Sequence, residues 1–272
     1  MEGANSVYHL AAVISVAGDP TGRVWATGVT GVRNAAEAAL AASVSRFVHC
    51  SSVHAYDMAA GHPIDEGSAR AEHATMAVYD RSKAAGEREF RKVVSSGLDG
   101  VICNPTAVIG PGDLSESRMN VVLEAMFDQR LPALISGGFD WVDVRDVAGS
   151  LIEAERVGRT GENYLLSGHQ LTIAELAATV KVVTGVSVPR IVLPMWFARV
   201  WSPMANIAGR RSGNPLWYTT ESLNALRNNP VVDATSAHAE LGHAPRPMED
   251  TISDLFAWTK VRDDKGHPAL VG

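Results

Sequence analysis

Short apolar runs alternate with longer segments of helical periodicity along most of the chain. Short uninterrupted apolar runs predict buried strands, whereas apolar residues that recur every three to four positions predict helices. Their alternation indicates parallel β–α–β units and an open α/β sheet. The predicted strands lie at 7–12, 45–52, 99–105 and 162–168, with a stub from 141, and the predicted helices lie at 23–43, 78–96, 115–129, up to 157 after the stub, and 172–185.

The pattern changes near residue 186, where Pro, Trp and Met become frequent and the strand signal weakens. We therefore predict a first domain over 1–185 and a smaller, mostly helical lobe over 186–261, interleaved with the first domain. The last residues, 262–272, are expected to form a flexible tail. Ligands of open α/β sheets bind at the carboxyl ends of the strands, so the later part of the chain could close over that edge.

Composition and charge exclude several classes of function. The 272 residues are 46% hydrophobic and 20% charged, with a net charge of −6, which is ordinary for a globular protein. A nucleic-acid partner is not expected, because such a chain offers no basic footprint for phosphates. The nine histidines show neither HxxxH nor HExxH spacing, so no metal site is predicted.

The cysteines and the apolar segments bear on location. Cys50 and Cys103 lie in short apolar runs without CxxC spacing, which predicts buried free thiols and a reducing cytoplasm. The first residues lack a basic n-region, so no signal peptide is expected. Arg199 and two prolines interrupt the most apolar stretch, 191–209, so no integral membrane segment is predicted. A core or lid helix is the favoured interpretation, and a helix on a membrane surface is the alternative.

A tyrosine and a lysine four residues apart, in AVYDRSKAAGE, carry the strongest local signal for chemistry. Tyr79 and Lys83 fall on one face of the predicted helix. A neighbouring ammonium favours the phenolate and lowers the pKa of a tyrosine. Such a pair can pass a proton to or from a carbonyl or hydroxyl oxygen as a hydride moves. Taken alone, the spacing is more typical of an exposed tyrosine beside a solvated lysine, because it occurs by chance in many proteins.

The predicted strand at 45–52 ends in CSS, so two hydroxyl side chains, Ser51 and Ser52, lie at its carboxyl end. Ser52 could hydrogen-bond the substrate oxygen that Tyr79 protonates. Turn formation is the alternative role for Ser51 and Ser52. Downstream, VICNPTAVIGPGD is another strand that ends in a loop bounded by Pro and Gly, and this loop could flank a bound ring.

Five motifs, in this order, resemble those of the extended short-chain dehydrogenase/reductase family, also called the NAD-dependent epimerase/dehydratase family: HLAA, FVHCSSVHAY, YDRSK, NPTAVIGPGD and WVDVRDVA. The RSK variant and the ending ELGHAPRPMEDTISDLFAW look most similar to its dihydroflavonol-reductase-like and 3β-hydroxysteroid-dehydrogenase-like branch. The similarity runs from about residue 5 to 260. It implies a Rossmann-like doubly wound parallel sheet, a smaller helical substrate lobe, and NAD or NADP as cofactor.

The resemblance also implies roles for individual residues. Tyr79 would be the catalytic acid or base, Lys83 would lower its pKa and bind the nicotinamide ribose, and Ser52 would orient the substrate oxygen. Asp146, in WVDVRDVA, is given a structural role as the cap of the following helix. Besides Tyr79 and Lys83, the residues expected to contact the cofactor are Leu10, Ala11, Ala12, Asn104, Pro105, Thr106 and Val108.

The segment TGVTGVRN, residues 27–34, has the glycines of a phosphate-binding turn. A dinucleotide fingerprint needs a strand, a glycine turn and a helix in that order, and no apolar strand directly precedes Gly28. In the family that turn lies before the HLAA strand, and TGVTGVRN matches a helix resembling NVxGTxNVxxAA. We therefore predict a helix here and no phosphate site.

The resemblance further implies that the chain begins at the family's fourth strand. A glycine-rich part of roughly 60 residues, two β–α–β units, would then be missing, together with the pyrophosphate site. Three explanations are open: a misassigned start, a truncated gene, or another chain that supplies the strands. We favour the first, because the serine, tyrosine and lysine are in place. The uncovered strand edge would be a pairing hazard.

Our first hypothesis is an NAD(P)-dependent oxidoreductase that acts on a C–OH/C=O group of a small or lipid-like substrate. A nucleotide-sugar epimerase or dehydratase on the same residues is the alternative within the enzyme class, and a catalytically inactive paralogue that binds a partner is the alternative outside it. The resemblance also implies a homodimer through the helices at 24–43 and 78–96. A hydrophobic substrate is favoured by three tryptophans of the lobe, for which ordinary packing is an equal explanation: Trp196, Trp201 and Trp217. The epimerase alternative needs basic residues that bind a diphosphate, and the candidates are Arg210, Arg211 and Arg246.

Overall fold

The computed structural model describes residues 1, 3–15, 18–59, 62–114, 117–197, 226 and 230–264. It divides into two units, each assembled from separate stretches of chain. The first contains 1–106, 148–167 and 230–244, and the described residues of the second fall in 107–147, 168–229 and 245–272. The division therefore falls elsewhere than the predicted boundary at residue 185, because strand pairing, which composition does not reveal, decides which segments belong together.

A four-stranded parallel sheet, in the order β1-β2-β3-β7, forms the framework of the first unit. Its register aligns Tyr8 with Val48, Val48 with Val101, and Cys103 with Tyr164. This confirms the predicted parallel α/β sheet. The strands are β1 (Ser6–His9), β2 (Arg46–Cys50), β3 (Gly100–Pro105) and β7 (Asn163–Leu166).

Helices pack on the sheet, and its strands β2, β3 and β7 are buried at nearly every position. Phe47 and Ile102 of the sheet pack with Phe90, Val32 and Ala36 of the helices in one buried cluster. Strands buried on both faces lose the alternating pattern of half-exposed strands. The helical elements of this unit are α1 (Arg23–Trp25), a π-helical segment (Ala26–Gly31), α2 (Val32–Ala41), α3 (Val78–Ser95), the part of α5 (Val144–Val157) from Ala148 onward, and α7 (Thr235–Leu241).

The glycines of TGVTGVRN serve helix packing. Gly28 lies in the π-helical segment, and a methyl group there would lie 3.0 Å from the Ser82 hydroxyl oxygen of α3. A methyl group on Gly86 would overlap the Gly28 carbonyl oxygen. The predicted helix at this position is confirmed, and its glycines let α3 approach closely.

The second unit has its own sheets and core. Strands β4, β6 and β8 form one sheet, and β5 pairs with β9. Trp141, Leu123 and Leu176 are fully buried in its apolar cluster. The elements are β4 (Ala107–Ile109), α4 (Arg118–Phe127), β5 (Leu134–Ile135), β6 (Gly138–Asp143), the start of α5, β8 (His169–Thr172), α6 (Ile173–Thr184), β9 (Val192–Leu193) and α8 (Met248–Asp264).

The cap of α5 differs from the prediction. Asp143, the residue before the helix, accepts a hydrogen bond from the backbone N–H of Arg145 at 2.8 Å, which is the geometry of an N-cap. Asp146 instead lies in the first turn, and its carboxylate accepts from Arg246 at 2.7 Å. Sequence alone did not distinguish two aspartates three residues apart.

Part of the predicted helical lobe, residues 198–225 and 227–229, lies outside the described residues, as do Trp201, Trp217, Arg210 and Arg211. Helix α8 continues to Asp264, past the predicted start of the tail at 262. In the part of the chain that is described, no helix has the length and apolarity needed to cross a membrane. Over the same ranges, no group of three or more His, Cys, Asp or Glu is arranged to hold a metal ion.

Candidate active site

The candidate site lies where β2 ends. Ser51 continues the pairing with β3 by donating its backbone N–H to the Cys103 carbonyl at 2.8 Å. Ser52 then leaves the sheet and caps the short 3₁₀ turn Val53–Ala55, because its hydroxyl accepts from the N–H of His54 at 3.2 Å. The turn-forming role of Ser52 is therefore real, and its hydroxyl is fixed at the carboxyl edge of the sheet.

Helix α3 brings Tyr79 and Lys83 to this edge. Lys83 is 5% exposed and its ammonium donates to the Ser51 carbonyl at 3.3 Å. The ammonium lies 5.8 Å from the centre of the Tyr79 ring. The side chain of Ser52 interacts with that of Tyr79. The structure thus brings together the three residues that the sequence predicted as a catalytic group.

The acidity of Tyr79 differs from the expectation. Burial raises the pKa of Tyr79 above its ordinary value, the interaction with Ser52 offsets part of this, and Cys50 and Asp80 raise it further. Desolvation disfavours the phenolate, and at 5.8 Å from the ring centre the ammonium does not overcome it. Tyr79 is consequently a phenol at neutral pH, which suits a proton donor.

The Lys83 ammonium has hydrogen-bond donors that the described residues do not use. Among the described residues its one hydrogen-bond acceptor is the Ser51 carbonyl, although an ammonium has three donors. Burial lowers the pKa of Lys83, whereas Cys50 and Glu87 act in the opposite direction. Two unused N–H groups beside a tyrosine fit a ligand that carries hydroxyl groups.

Further buried polar atoms near this edge are without hydrogen-bond partners in the described chain. They are the hydroxyl oxygen of Ser51 and the Nδ1 atoms of His9 and His49. Burial, and secondarily the positive charge of Lys83, lowers the pKa of both histidines, so they are neutral. Unpaired buried groups are rare in proteins, so three of them near this edge are consistent with a site that takes a polar ligand.

The residues predicted to contact the cofactor divide into three groups. Leu10, Ala11 and Ala12 are exposed and follow β1, and Pro105 and Thr106 lie at the end of β3. These five lie at the same carboxyl edge as Ser52, because the strands are parallel. Val108 is placed in the second unit, where β4 pairs it with Val142 of β6.

Asn104 forms a group by itself, because its side chain is fully buried below this edge. Its amide donates to the Ser52 carbonyl at 2.9 Å and to Glu87 at 2.6 Å. Both amide hydrogens are thereby used within the protein, so a direct contact with a nicotinamide is not supported. Asn104 holds the backbone of Ser52 instead.

The sequence interpretation missed two sets of neighbours. Glu87 is four residues beyond Lys83 and 2% exposed, and this spacing was a signal that could have found it. His54 pairs with Asp80 at 2.9 Å and contacts the Tyr79 ring edge-on, with 5.6 Å between ring centres. No spacing rule links His54 to Asp80, because they belong to different elements.

Comparison with known proteins agrees with this geometry. The model of the NAD dependent epimerase/dehydratase family matches residues 1–166. This chain belongs to that family. The predicted family, the Rossmann-like fold and a nicotinamide cofactor are confirmed, since the family is one of NAD-dependent epimerases and dehydratases. The predicted enzyme class, a dehydrogenase or epimerase, is that of the family.

Individual relatives span most of the chain. The chain is 29% identical over 273 residues to sterol demethylase protein B of Methylococcus capsulatus, and the alignment covers 96% of this chain and 80% of the relative. It is 27% identical over 267 residues to a putative dihydroflavonol 4-reductase of Synechocystis, covering 95% and 77%. The crystal structure of gox2253 superposes with a TM-score of 0.80 at 28% identity, covering 96% of this chain and 80% of that one.

Proposed function

We propose that this protein is an NAD(P)-dependent reductase or dehydrogenase that acts on a C–OH/C=O group of a small, hydrophobic ring compound. The observation that carries the proposal is the convergence of Ser52, Tyr79 and Lys83 at the carboxyl edge of the first sheet. Members of α/β folds bind ligands at this edge. The three side chains supply a hydroxyl donor, a phenol and an ammonium, which together can bind and protonate a carbonyl oxygen.

The chemistry follows from the protonation states. A bound nicotinamide supplies or accepts the hydride at the carbon centre. In the direction of reduction, the Tyr79 phenol gives its proton to the carbonyl oxygen, while the Ser52 hydroxyl holds that oxygen. The positive charge of Lys83 stabilises the phenolate that is left. Its two unused N–H groups are available to the cofactor ribose.

The names of the relatives support a hydrophobic ring substrate. One is called a sterol demethylase protein and the other a dihydroflavonol 4-reductase. The nucleotide-sugar alternative finds less support, because Arg246 is engaged by the Asp146 carboxylate at 2.7 Å. The other two candidate arginines lie outside the described residues.

The test is turnover by the purified gene product. A dihydroflavonol, a 3-ketosteroid and a nucleotide sugar are each offered with NADH and with NADPH, and coenzyme consumption and products are followed. The proposal expects reduction of at least one ring ketone and loss of that activity in Ser52→Ala. Conversion of the nucleotide sugar alone would support the epimerase alternative, and no turnover of any substrate would support the inactive paralogue. A homodimer and a cytoplasmic location stay predictions.

A further inference from the structure

A buried carboxylate lies one helical turn beyond Lys83. Glu87 is 2% exposed on α3. It accepts hydrogen bonds from Asn104 at 2.6 Å, from Asn163 at 3.0 Å and from Arg70 at 3.0 Å. These donors come from β3, from β7 and from the segment before α3, so one carboxylate ties three parts of the first unit together.

This network reaches the backbone of Ser52. The amide of Asn104 that binds Glu87 also donates to the Ser52 carbonyl at 2.9 Å. Asn163 fixes the orientation of Asn104 by donating to its side-chain oxygen at 2.6 Å. The two ends of the network are therefore the helix that carries Lys83 and the main chain that carries Ser52.

Glu87 also acts on Lys83 through charge. Glu87 and Cys50 both favour the ammonium over the neutral amine. Burial raises the pKa of the Cys50 thiol, so at neutral pH the thiol is uncharged. Glu87 is then the source of negative charge that supports a buried ammonium, and an unsupported buried ammonium is costly.

We propose that Glu87 is a positioning residue of the active site, whose buried carboxylate fixes Lys83 and Ser52 relative to each other through α3 and Asn104. The inference rests on the proposed function for the roles of Ser52 and Lys83. In this role Glu87 acts through its neighbours and touches neither substrate nor cofactor. A purely structural role, in which Glu87 only pairs with Arg70, is the competing explanation.

The test combines a titration that needs no substrate with steady-state kinetics. The pKa of Lys83 is measured by NMR of the lysine side-chain signals, with Lys83→Arg for assignment. In Glu87→Gln we expect a lower pKa of Lys83 and a kcat reduced about 10- to 100-fold, because small misplacements of catalytic groups have effects of this size. Glu124→Gln is the matched control, since Glu124 is a similarly buried carboxylate paired with Arg262 at 2.8 Å in the second unit. It should leave both quantities unchanged.

Glu87→Asp separates the two effects and covers the case in which Glu87→Gln does not fold. It keeps the charge but withdraws the carboxylate from Asn104, so we expect a normal Lys83 titration with a reduced kcat. Wild-type kcat in folded Glu87→Asp overturns the inference, as does an unchanged Lys83 pKa in folded Glu87→Gln. If the wild type turns over no substrate while Glu87→Gln still lowers the Lys83 pKa, the proposed function fails and the link between Glu87 and Lys83 stands.

Discussion

Two polar clusters, one in each unit, differ in how completely their groups are paired. In the second unit Asp143 accepts from Arg145 at 2.8 Å and Asp146 accepts from Arg246 at 2.7 Å. In the first, the described contacts give Lys83 a single acceptor and leave the Ser51 hydroxyl without a partner. A buried polar group without a partner costs about 1–3 kcal/mol. Incomplete pairing, rather than charge itself, therefore marks the first cluster as the one that gains from a ligand.

The largest expected effect is a loss of enzyme activity when a residue of the first cluster, Tyr79, is changed. In the proposed mechanism Tyr79→Phe removes the proton donor, so we expect kcat/KM to fall about 10²–10⁴-fold, the range for loss of a general acid. Thermal stability should change little, because the half-buried ring is retained. Tyr8→Phe is the control, since Tyr8 is an exposed tyrosine of β1. Equal activity of the two variants would mean that the first cluster is not catalytic.

The second prediction breaks the paired cluster. Asp143→Ala leaves the Arg145 guanidinium without the acceptor of its Nε and Nη2 hydrogens, and α5 without its cap. We expect the free energy of unfolding to fall by about 2–3 kcal/mol, the size of one or two hydrogen bonds to a charged group. The full sum of the lost hydrogen bonds is not expected, because solvent screens the Arg145 side chain, which is 35% exposed. Denaturant unfolding measures the change. A variant as stable as the wild type would show that the pairing contributes nothing.

Sequence predicted most elements and the grouping of Ser52, Tyr79 and Lys83 at one edge of the sheet, because both rest on local patterns. The apolar runs of β2 and β3 and the spacing of Tyr79 and Lys83 are readable within a few residues. What was missed depends on contacts between distant segments. Asn104 was assigned to the cofactor, but it is held by Glu87 and by the Ser52 carbonyl. The pKa of Tyr79 was expected to fall, and burial, which spacing does not show, raises it.

The third prediction tests whether the first cluster depends on the close approach of its helix. Gly86→Ala places a methyl group against the Gly28 carbonyl, so α3 must shift, and overpacking of this kind costs about 1–3 kcal/mol. Activity should fall with stability, because Tyr79 and Lys83 move with the helix. Gly149→Ala is the matched control in α5, where a methyl group meets nothing within 4 Å. In Gly149→Ala we expect the free energy of unfolding to rise by about 0.5–1 kcal/mol, because alanine favours a helix more than glycine does. A loss of stability in Gly149→Ala would contradict the packing argument.

The fourth prediction concerns pH and again separates the clusters. Burial alone would raise the pKa of Asp143, but hydrogen bonds from the Arg145 side chain and backbone outweigh it, so the pKa is lowered. A lowered pKa contributes stability that is present above the unfolded value of about 3.9 and is lost as pH falls through the folded pKa. As the pH falls below about 3.9, we expect the thermal stability of the wild type to fall more steeply than that of Asp143→Asn. Parallel curves would rule out this contribution.

The smallest expected effect lies at the rim of the first cluster. Asp80 pairs with His54 at 2.9 Å, and their side chains are 24% and 33% exposed. Exposed pairs of this kind contribute less than about 1 kcal/mol, so Asp80→Asn should hardly change stability. Its negative charge raises the pKa of Tyr79, and removing it should lower that pKa slightly.

Tyrosinate absorbance measures this shift as the difference between Asp80→Asn and its double variant with Tyr79→Phe. Glu72→Gln, which breaks an ion pair that is about 60% exposed, should leave the Tyr79 titration unchanged. If Asp80→Asn also leaves it unchanged, the charge of Asp80 does not contribute to the acidity of Tyr79. The distinction between the clusters would then rest on unpaired donors and not on the charges around them.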